Sequence, residues 1–402
     1  MEFKIWWFLP VLLVSAAFVA IVLPAIVRTA GKMNLYDSQD DRKVHSGDVP
    51  RLGGLTFLPA ILFTLLVVIS AMSIYSPVNL SFSYGPITEV MLAVAGCLIL
   101  YLVGVLDDII GVSYKRKFMM QILASLLICI SGLWINDLHG LFGIHSLHPL
   151  IGIPLTILVV VLVINSINLI DGIDGLASGL CILGTVGFSA IFILRDMNIH
   201  MLLAAAMIGL LVVFYLYNTL GKPGVLKTFM GDTGSLTMGY LLAFFAIKLT
   251  TIGKPMFVGS GTGDYLIYAV SVILIPVMDV FRVFFARIRV GKSPFFPDKR
   301  HIHHKIMALG FSMRQTRYII FAISIFFIAM NMTITGILKW NINALVVVDA
   351  CVWIVMNMMI SNRVHYLRSI NDPTALRFTD LGSSYKIQRK GKGKGKRKRR
   401  RN

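Results

Sequence analysis

The chain has 402 residues, of which 56% are hydrophobic and 14% charged, with a mean hydropathy of +0.78 and a formal net charge of +19. A water-soluble domain of that length has too little core to hide so much apolar surface, so the composition excludes an ordinary soluble protein and requires contact with lipid. The excess charge does not single out a nucleic-acid binder, because eleven of the basic residues lie in the last seventeen, KIQRKGKGKGKRKRRRN.

Apolar runs of about 20 residues, long enough to cross a bilayer, recur along nearly the whole chain. They fall at 3–27, 52–74, 87–106, 118–135, 149–168, 176–194, 200–218, 234–250, 264–283, 316–338 and 342–361. An all-α polytopic membrane protein of eleven spans is therefore expected, with ten as the alternative count. Residues 1–361 form the membrane domain and 362–402 a cytoplasmic tail. The first run is too long for a cleavable signal and has no small-residue cleavage pattern before the basic loop, which makes it a retained helix. Cys97, Cys129, Cys181 and Cys351 all sit in apolar runs without a Cys-x-x-Cys pair, and are read as packing residues.

Short loops rich in Lys and Arg stay in the cytoplasm. Arg28 to Arg51, Lys115 to Lys117, Lys222 with Lys227, and the stretch from Arg282 to Arg317 follow alternate spans, so these loops face the cytoplasm. The N-terminus is then outside and the C-terminus inside the cytoplasmic membrane. Lys248 and Lys254 run against this pattern. The Gly/Lys/Arg tail cannot bury a core, and at a cytoplasmic exit it suits anionic lipid headgroups better than nucleic acid.

Four polar clusters stand at span ends, where carboxylates are costly and need a functional reason. The first is LDDIIGVSYKRK, with Asp107 and Asp108 about 100° apart on a helix, so that one can meet a metal and the other a second ligand or a cation. The second is NSINLIDGIDG, where Asn165, Asn168, Asp171 and Asp174 repeat every three residues. On an unbroken helix these side chains spiral apart, so a re-entrant or broken segment near 165–176, breaking at Gly172 and Gly175, is predicted.

The third cluster is YNTLGKPGVLKTFMGDTGSL, with Asn218, Lys227 and Asp232. Its Gly-Asp-Thr-Gly-Ser turn opens a helix whose positive end can face an anionic group, and Asp232 offers oxygen to a hard cation. The alternative is that Asp232 or Thr233 merely caps the helix. The fourth is MDVFRVFFARIRVGKSPFFPDKRHIHH, holding Asp279, Arg282, Lys292, Asp298, Arg300, His301, His303 and His304. No cysteine accompanies the histidines and their spacing does not match a helical zinc pair, so hydrogen bonding to phosphate is favoured over zinc.

Orientation alone brings all four clusters to the cytoplasmic face. Oxygen ligands suit Mg²⁺, which takes one or two carboxylates plus substrate phosphates. Phosphoryl chemistry between a cytosolic donor and a lipid-held acceptor follows. Ion transport would instead require charges along a path across the membrane.

In motif order over roughly residues 30–310, the chain resembles the polyprenyl-phosphate N-acetylhexosamine-1-phosphate transferases, a superfamily that includes the phospho-N-acetylmuramoyl-pentapeptide transferases. The resemblance rests on PRLGG at Pro50–Gly54, LDD with Lys117 and Gln121, NSINLIDGIDGLASG, YN followed by MGDTGSL, and HIHH after SPFFPDKR. It implies ten or eleven helices, dependence on Mg²⁺ (or Mn²⁺), and transfer of a sugar-1-phosphate from a UDP-sugar to undecaprenyl phosphate with release of UMP. The roles it implies are catalysis for Asp107, Asp108 and Asp174, and metal binding for Asp232 and Asp171. Substrate binding is implied for Asn165, Asn168, Asp171, Lys117, Asn218, Arg282, Arg300, His301, His303 and His304.

The HIHH run resembles the N-acetylglucosamine or N-acetylgalactosamine branch that initiates cell-surface polysaccharides. The muramoyl-pentapeptide branch, or a non-catalytic transporter or scaffold, is the alternative. A homodimer is compatible with this family. The basic tail and an eleventh span depart from its core.

Overall fold

Lipid offers no partner to a bare backbone N–H or C=O, and an α-helix satisfies both within one segment, so each apolar run folds as a helix. A computed structural model describes residues 2–33, 49–75, 84–222, 225–253, 256, 264–289, 291 and 299–378. The helices begin with α1 (Glu2–Lys32), a 3₁₀ turn (Gly53–Thr56), α2 (Phe57–Tyr75), α3 (Tyr84–Ile110) and α4 (Tyr114–Ile130). After a hairpin come α5 (Pro149–Ile170), α6 (Leu176–Leu194), α7 (Asn198–Leu220), α8 (Gly231–Thr250) and α9 (Asp264–Arg289). The short α10 (Ile302–Ala308) precedes α11 (Met313–Thr333), a π-helical turn (Ile334–Leu338), α12 (Ile342–Ser369) and α13 (Pro373–Phe378). The basic tail, Lys292, Asp298 and Lys254 lie outside the described residues.

The centre of the bundle is α8, where every residue from Thr233 to Ile247 is buried. A helix apolar on all sides belongs in the interior, and α3, α5, α6 and α9 surround it. Outer helices keep large apolar side chains such as Leu66, Met91, Leu158, Phe326 and Val355 exposed, as a lipid-facing surface does. Cys97, Cys129 and Cys181 are buried, whereas Cys351 is exposed on α12, so the packing role holds for three of the four.

Among the described residues ten helices are long and apolar enough to cross a membrane. The 17 residues of α4 fall just short of that group, and this helix packs against α3 and α5. Lys117 in its first turn bonds Asp232 at the start of α8, and the hairpin after it donates from His139 Nε2 to the Thr250 carbonyl at the end of α8. At 1.5 Å per residue α4 covers about 25 Å, close to the hydrocarbon thickness. Ten helices thus qualify by length and apolarity, the alternative count, and α4 supplies an eleventh passage between the two ends of the bundle.

Three differences from expectation have local causes. The hairpin, β1 (Asp137–Leu141) with antiparallel β2 (Ile144–Ser146), interrupts the all-α pattern outside the apolar runs. The segment near 165–176 is broken but not re-entrant: α5 stays helical through Ile170 and a five-residue turn at 171–175 leads directly into α6. Gly175 adopts φ +73, which a side chain strongly disfavours, and α6 starts at the next residue. Lastly, α12 continues to Ser369 past the apolar stretch, and α13 folds back against α10.

Lys248, the exception to the basic-loop pattern, is neutralised inside the fold. Its ammonium lies 2.7 Å from Glu89 Oε2, and His200 Nε2 lies 2.9 Å from the same oxygen. This buried group sits at the end of the bundle opposite Asp108 and Asp232.

Candidate active site

The last turn of α3 delivers two carboxylates to different partners, as their angular separation requires. Asp108 Oδ1 accepts from the Asp232 N–H at 2.8 Å, and Oδ2 accepts from the Thr233 N–H at 3.0 Å and the Thr233 hydroxyl at 2.6 Å. The anion expected at the positive end of α8 is therefore supplied by the chain itself. Neither Asp232 nor Thr233 caps the helix from within; Asp108 does so from α3.

The PRLGG segment supports the same turn. The Gly53 and Gly54 N–H groups donate to the Phe229 and Met230 carbonyls, and the Pro50 carbonyl accepts from the Phe229 N–H at 2.9 Å. A methyl group on Gly54 would meet the Met230 carbonyl oxygen at 2.6 Å, so the backbones approach as only glycine permits.

Capping by Asp108 leaves the Asp232 side chain to face α4 and α5. Lys117 Nζ lies 2.8 Å from Asp232 Oδ2 and 3.0 Å from Asp107 Oδ2, so one ammonium joins the two carboxylates. Asp107 Oδ1 also accepts from the Val112 N–H at 2.6 Å. From α5, Asn168 Nδ2 donates to Asp232 Oδ1 at 3.2 Å and to Ser235 Oγ at 2.8 Å. Asn165, one turn earlier, faces elsewhere: its amide exchanges hydrogen bonds with Gln121 and donates to the Val161 carbonyl, tying α5 to α4.

The 171–175 turn carries the remaining acids. Asp174 pairs with Lys227, and its carbonyl accepts from Arg317 Nη1 at 2.8 Å. Arg317 is buried and lies over the rings of Tyr215 and Tyr318. Asn218 accepts from the Gly175 N–H and donates to the Thr228 carbonyl, so both ends of its amide are engaged in joining the turn to the segment before α8.

The histidine loop docks on this turn from the other side. Asp279, almost wholly buried on α9, accepts from the Ile302 N–H at 3.0 Å and Arg282 Nη2 at 2.6 Å through Oδ1, and pairs with His301 Nδ1 at 2.8 Å through Oδ2. Arg282 also donates to the Arg300 carbonyl, and Arg300 donates to the Ala286 carbonyl. The His303 ring stacks on His301 at 5.9 Å and 7° and contacts His304 at 4.3 Å. Both His303 ring nitrogens are buried without a hydrogen-bond partner, and a methyl on Gly172 would sit 2.7 Å from its Cε1. Burial and the neighbouring His304 and His301 hold the His303 pKa well below its ordinary value, so the ring is neutral.

The donor set suits a hard cation. Burial, then the Asp232 and Asp174 carboxylates, push the half-buried Asp171 carboxyl up to about 7, with Arg51 as the opposing positive charge. A carboxyl in that condition marks negative charge that a divalent cation would relieve. Among the described residues no three Asp, Glu, His or Cys side chains already form a metal cage. Mg²⁺ has no need of one when substrate phosphates and water complete its shell.

The structure thus gathers Asp107, Asp108, Lys117, Asn168, Asp171, Asp174 and Asp232 at one end, with His303 against the same turn. Asn165 and Asn218 are brought near, their amides committed to the scaffold. Arg282, Arg300 and His301 are organised around Asp279, whose place at the centre of that set is not evident from the sequence. Its signal was a lone carboxylate in the apolar stretch ILIPVMDVF. The parts of Arg317 in holding the turn and of Thr233 in holding Asp108 are likewise not evident from the sequence.

Comparison with known proteins matches residues 90–250 to the model of glycosyl transferase family 4. The undecaprenyl-phosphate alpha-N-acetylglucosaminyl 1-phosphate transferase of Yersinia pestis is 32% identical over 294 residues, covering 72% of this chain and 73% of its own. That of Escherichia coli (strain K12) is 32% identical over 295 residues, with the same coverage. A Bacillus subtilis (strain 168) protein named "Probable undecaprenyl-phosphate N-acetylglucosaminyl 1-phosphate transferase" is 30% identical over 344 residues, 85% of each chain.

Proposed function

This chain belongs to glycosyl transferase family 4, and we propose that it transfers N-acetylglucosamine-1-phosphate from a UDP-sugar to undecaprenyl phosphate, releasing UMP. The reaction would be the first membrane step of a cell-surface polysaccharide, with the site and C-terminus cytoplasmic and the N-terminus on the other side. The observation that carries this reading is the joining of the α3 and α8 acids through Lys117 beside the α5–α6 turn that bears Asp171 and Asp174, with the histidine helix against that turn.

The acceptor phosphate has a second pKa near 6 and is mostly dianionic at pH 7, so its oxygen can attack the β-phosphorus of the donor without a dedicated base. Asp107 and Asp108 then act by holding rather than by deprotonating. Asp108 fixes the start of α8, and Asp107 shares Lys117 with Asp232. Asp232 and Asp171 would hold Mg²⁺, which when bound supplies positive charge to the diphosphate. Lys117, Arg300 and the histidines would orient phosphate oxygens by hydrogen bonding, and Asn168 keeps the Asp232 carboxylate aligned. Positioning and charge neutralisation supply most of the rate in such transfers.

Full-length protein incubated with a panel of UDP-sugars and undecaprenyl phosphate is expected to release UMP with UDP-N-acetylglucosamine, and only when lipid and Mg²⁺ are both present. Release without the lipid would sink the acceptor assignment. Asp232→Asn should lower the rate at least about a hundredfold; undiminished activity in that variant would remove Asp232 from the metal site.

A further inference from the structure

Asp279 takes no part in the scheme above, yet both its oxygens are engaged in the histidine region. It is 1% exposed, and its two oxygens meet three partners: the first N–H of α10, the Arg282 guanidinium and the His301 ring. A carboxylate in that depth of protein is sustained only by such charge-assisted bonds.

The arrangement has a directional consequence. An imidazole has two nitrogens on opposite sides of the ring, and the bond made by one sets the direction and tautomer of the other. His301 turns Nδ1 inward to Asp279 at 2.8 Å, which leaves Nε2 as the nitrogen not engaged by this carboxylate. The ring is held further by parallel stacking on His303, which abuts Gly172 in the turn that bears Asp171 and Asp174. Asp279 also reaches the preceding loop, because Arg282 Nη2 bridges it to the Arg300 carbonyl.

We propose that Asp279 is a positioning residue for the donor half of the site: it fixes His301 with Nδ1 inward so that Nε2 is presented to the diphosphate of the nucleotide-sugar. The substrate named here rests on the functional reading above, whereas the fixing of the ring does not.

The test therefore has two arms, both on the full-length protein. In the first, ¹⁵N-histidine spectra of wild type, Asp279→Asn and Asp279→Glu are compared, with His301→Gln used to assign the resonance. A strongly hydrogen-bonded Nδ1–H for His301, lost in Asp279→Asn and recovered in Asp279→Glu, is expected; its absence from wild type overturns the proposal. In the second arm, UMP release is measured against each substrate. Asp279→Asn should raise the donor KM about tenfold and leave the polyprenyl-phosphate KM unchanged. It should add less than about twofold in a His301→Gln background, since the two residues act as one unit. Full multiplication of the two effects, or an equal rise in both KM values, overturns the proposal. A wild-type protein that releases no UMP from any UDP-sugar sinks the functional reading instead, and the spectra still decide the role of Asp279.

Discussion

Asp108 on α3 and Thr233 on α8 are joined by two hydrogen bonds to a single oxygen, from the Thr233 N–H at 3.0 Å and its hydroxyl at 2.6 Å. Through this contact the position of Asp232, the adjacent residue, depends on a helix more than a hundred residues earlier in the chain. Thr233→Val keeps the shape and the N–H but loses the hydroxyl bond to a partly buried carboxylate, at a cost of about 1.5–3 kcal/mol. A lower Tm and a reduced rate of UMP release are expected together. An unchanged Tm would mean that Asp108 does not secure the start of α8.

Lys117 stands between Asp107 and Asp232, where added divalent cation would also be drawn. Lys117→Met should lower the rate at least about a hundredfold, because the site loses a preorganised charge. The same variant should bind Mg²⁺ more tightly in a calorimetric titration, since two carboxylates are left without their shared ammonium. Weaker or equal Mg²⁺ binding would show that Lys117 does not compete with a cation at this position.

Gly172 is pressed against the His303 ring. Gly172→Ala is expected to destabilise the protein by about 1–3 kcal/mol and to depress activity, as overpacking forces the turn and α10 apart. His303→Ala in the same chain should restore the Tm lost by Gly172→Ala, because it removes the clashing ring. Failure of that rescue would place the strain of the alanine elsewhere.

Lys305 on α10 donates to Ser361 Oγ on α12 at 2.8 Å. Burial, then the nearby Arg282, bring its pKa down from 10.5 to about 8, with Asp279 opposing and Arg300 adding to the fall. Below about 8 both folded and unfolded chains carry this proton, and the cost of the buried charge is fully present. Between about 8 and about 10 the folded chain has released the proton and the unfolded chain has not, so stability attributable to Lys305 rises with pH. Thermal unfolding from pH 7 to pH 10 should show this rise in wild type and a flatter profile in Lys305→Met. Parallel profiles would refute the assignment.

Much of the architecture was legible because membrane insertion imposes a strong pattern on a chain. The eleven apolar runs, the site end of the bundle and the need for a break between Asn168 and Asp174 all follow from burial cost and helical period. The form of that break was not legible. A re-entrant loop and a short turn share one sequence signature, Gly172 and Gly175, and the choice depends on what lies opposite: His303 at the first glycine, Tyr215 and Arg317 at the second.

Composition and local pattern were enough to establish a membrane-embedded helical chain whose acids, amides and histidines gather at span ends. These are properties of a residue and its near neighbours, set by transfer energies that need no partner. Which carboxylate caps and which bridges came only with the packed bundle. Asp107 and Asp108 are indistinguishable in the sequence, yet one shares Lys117 with Asp232 and the other caps the start of α8. Their roles differ because adjacent side chains on a helix point about 100° apart, so that one meets Lys117 on the next helix and the other meets α8, which the chain reaches more than a hundred residues later.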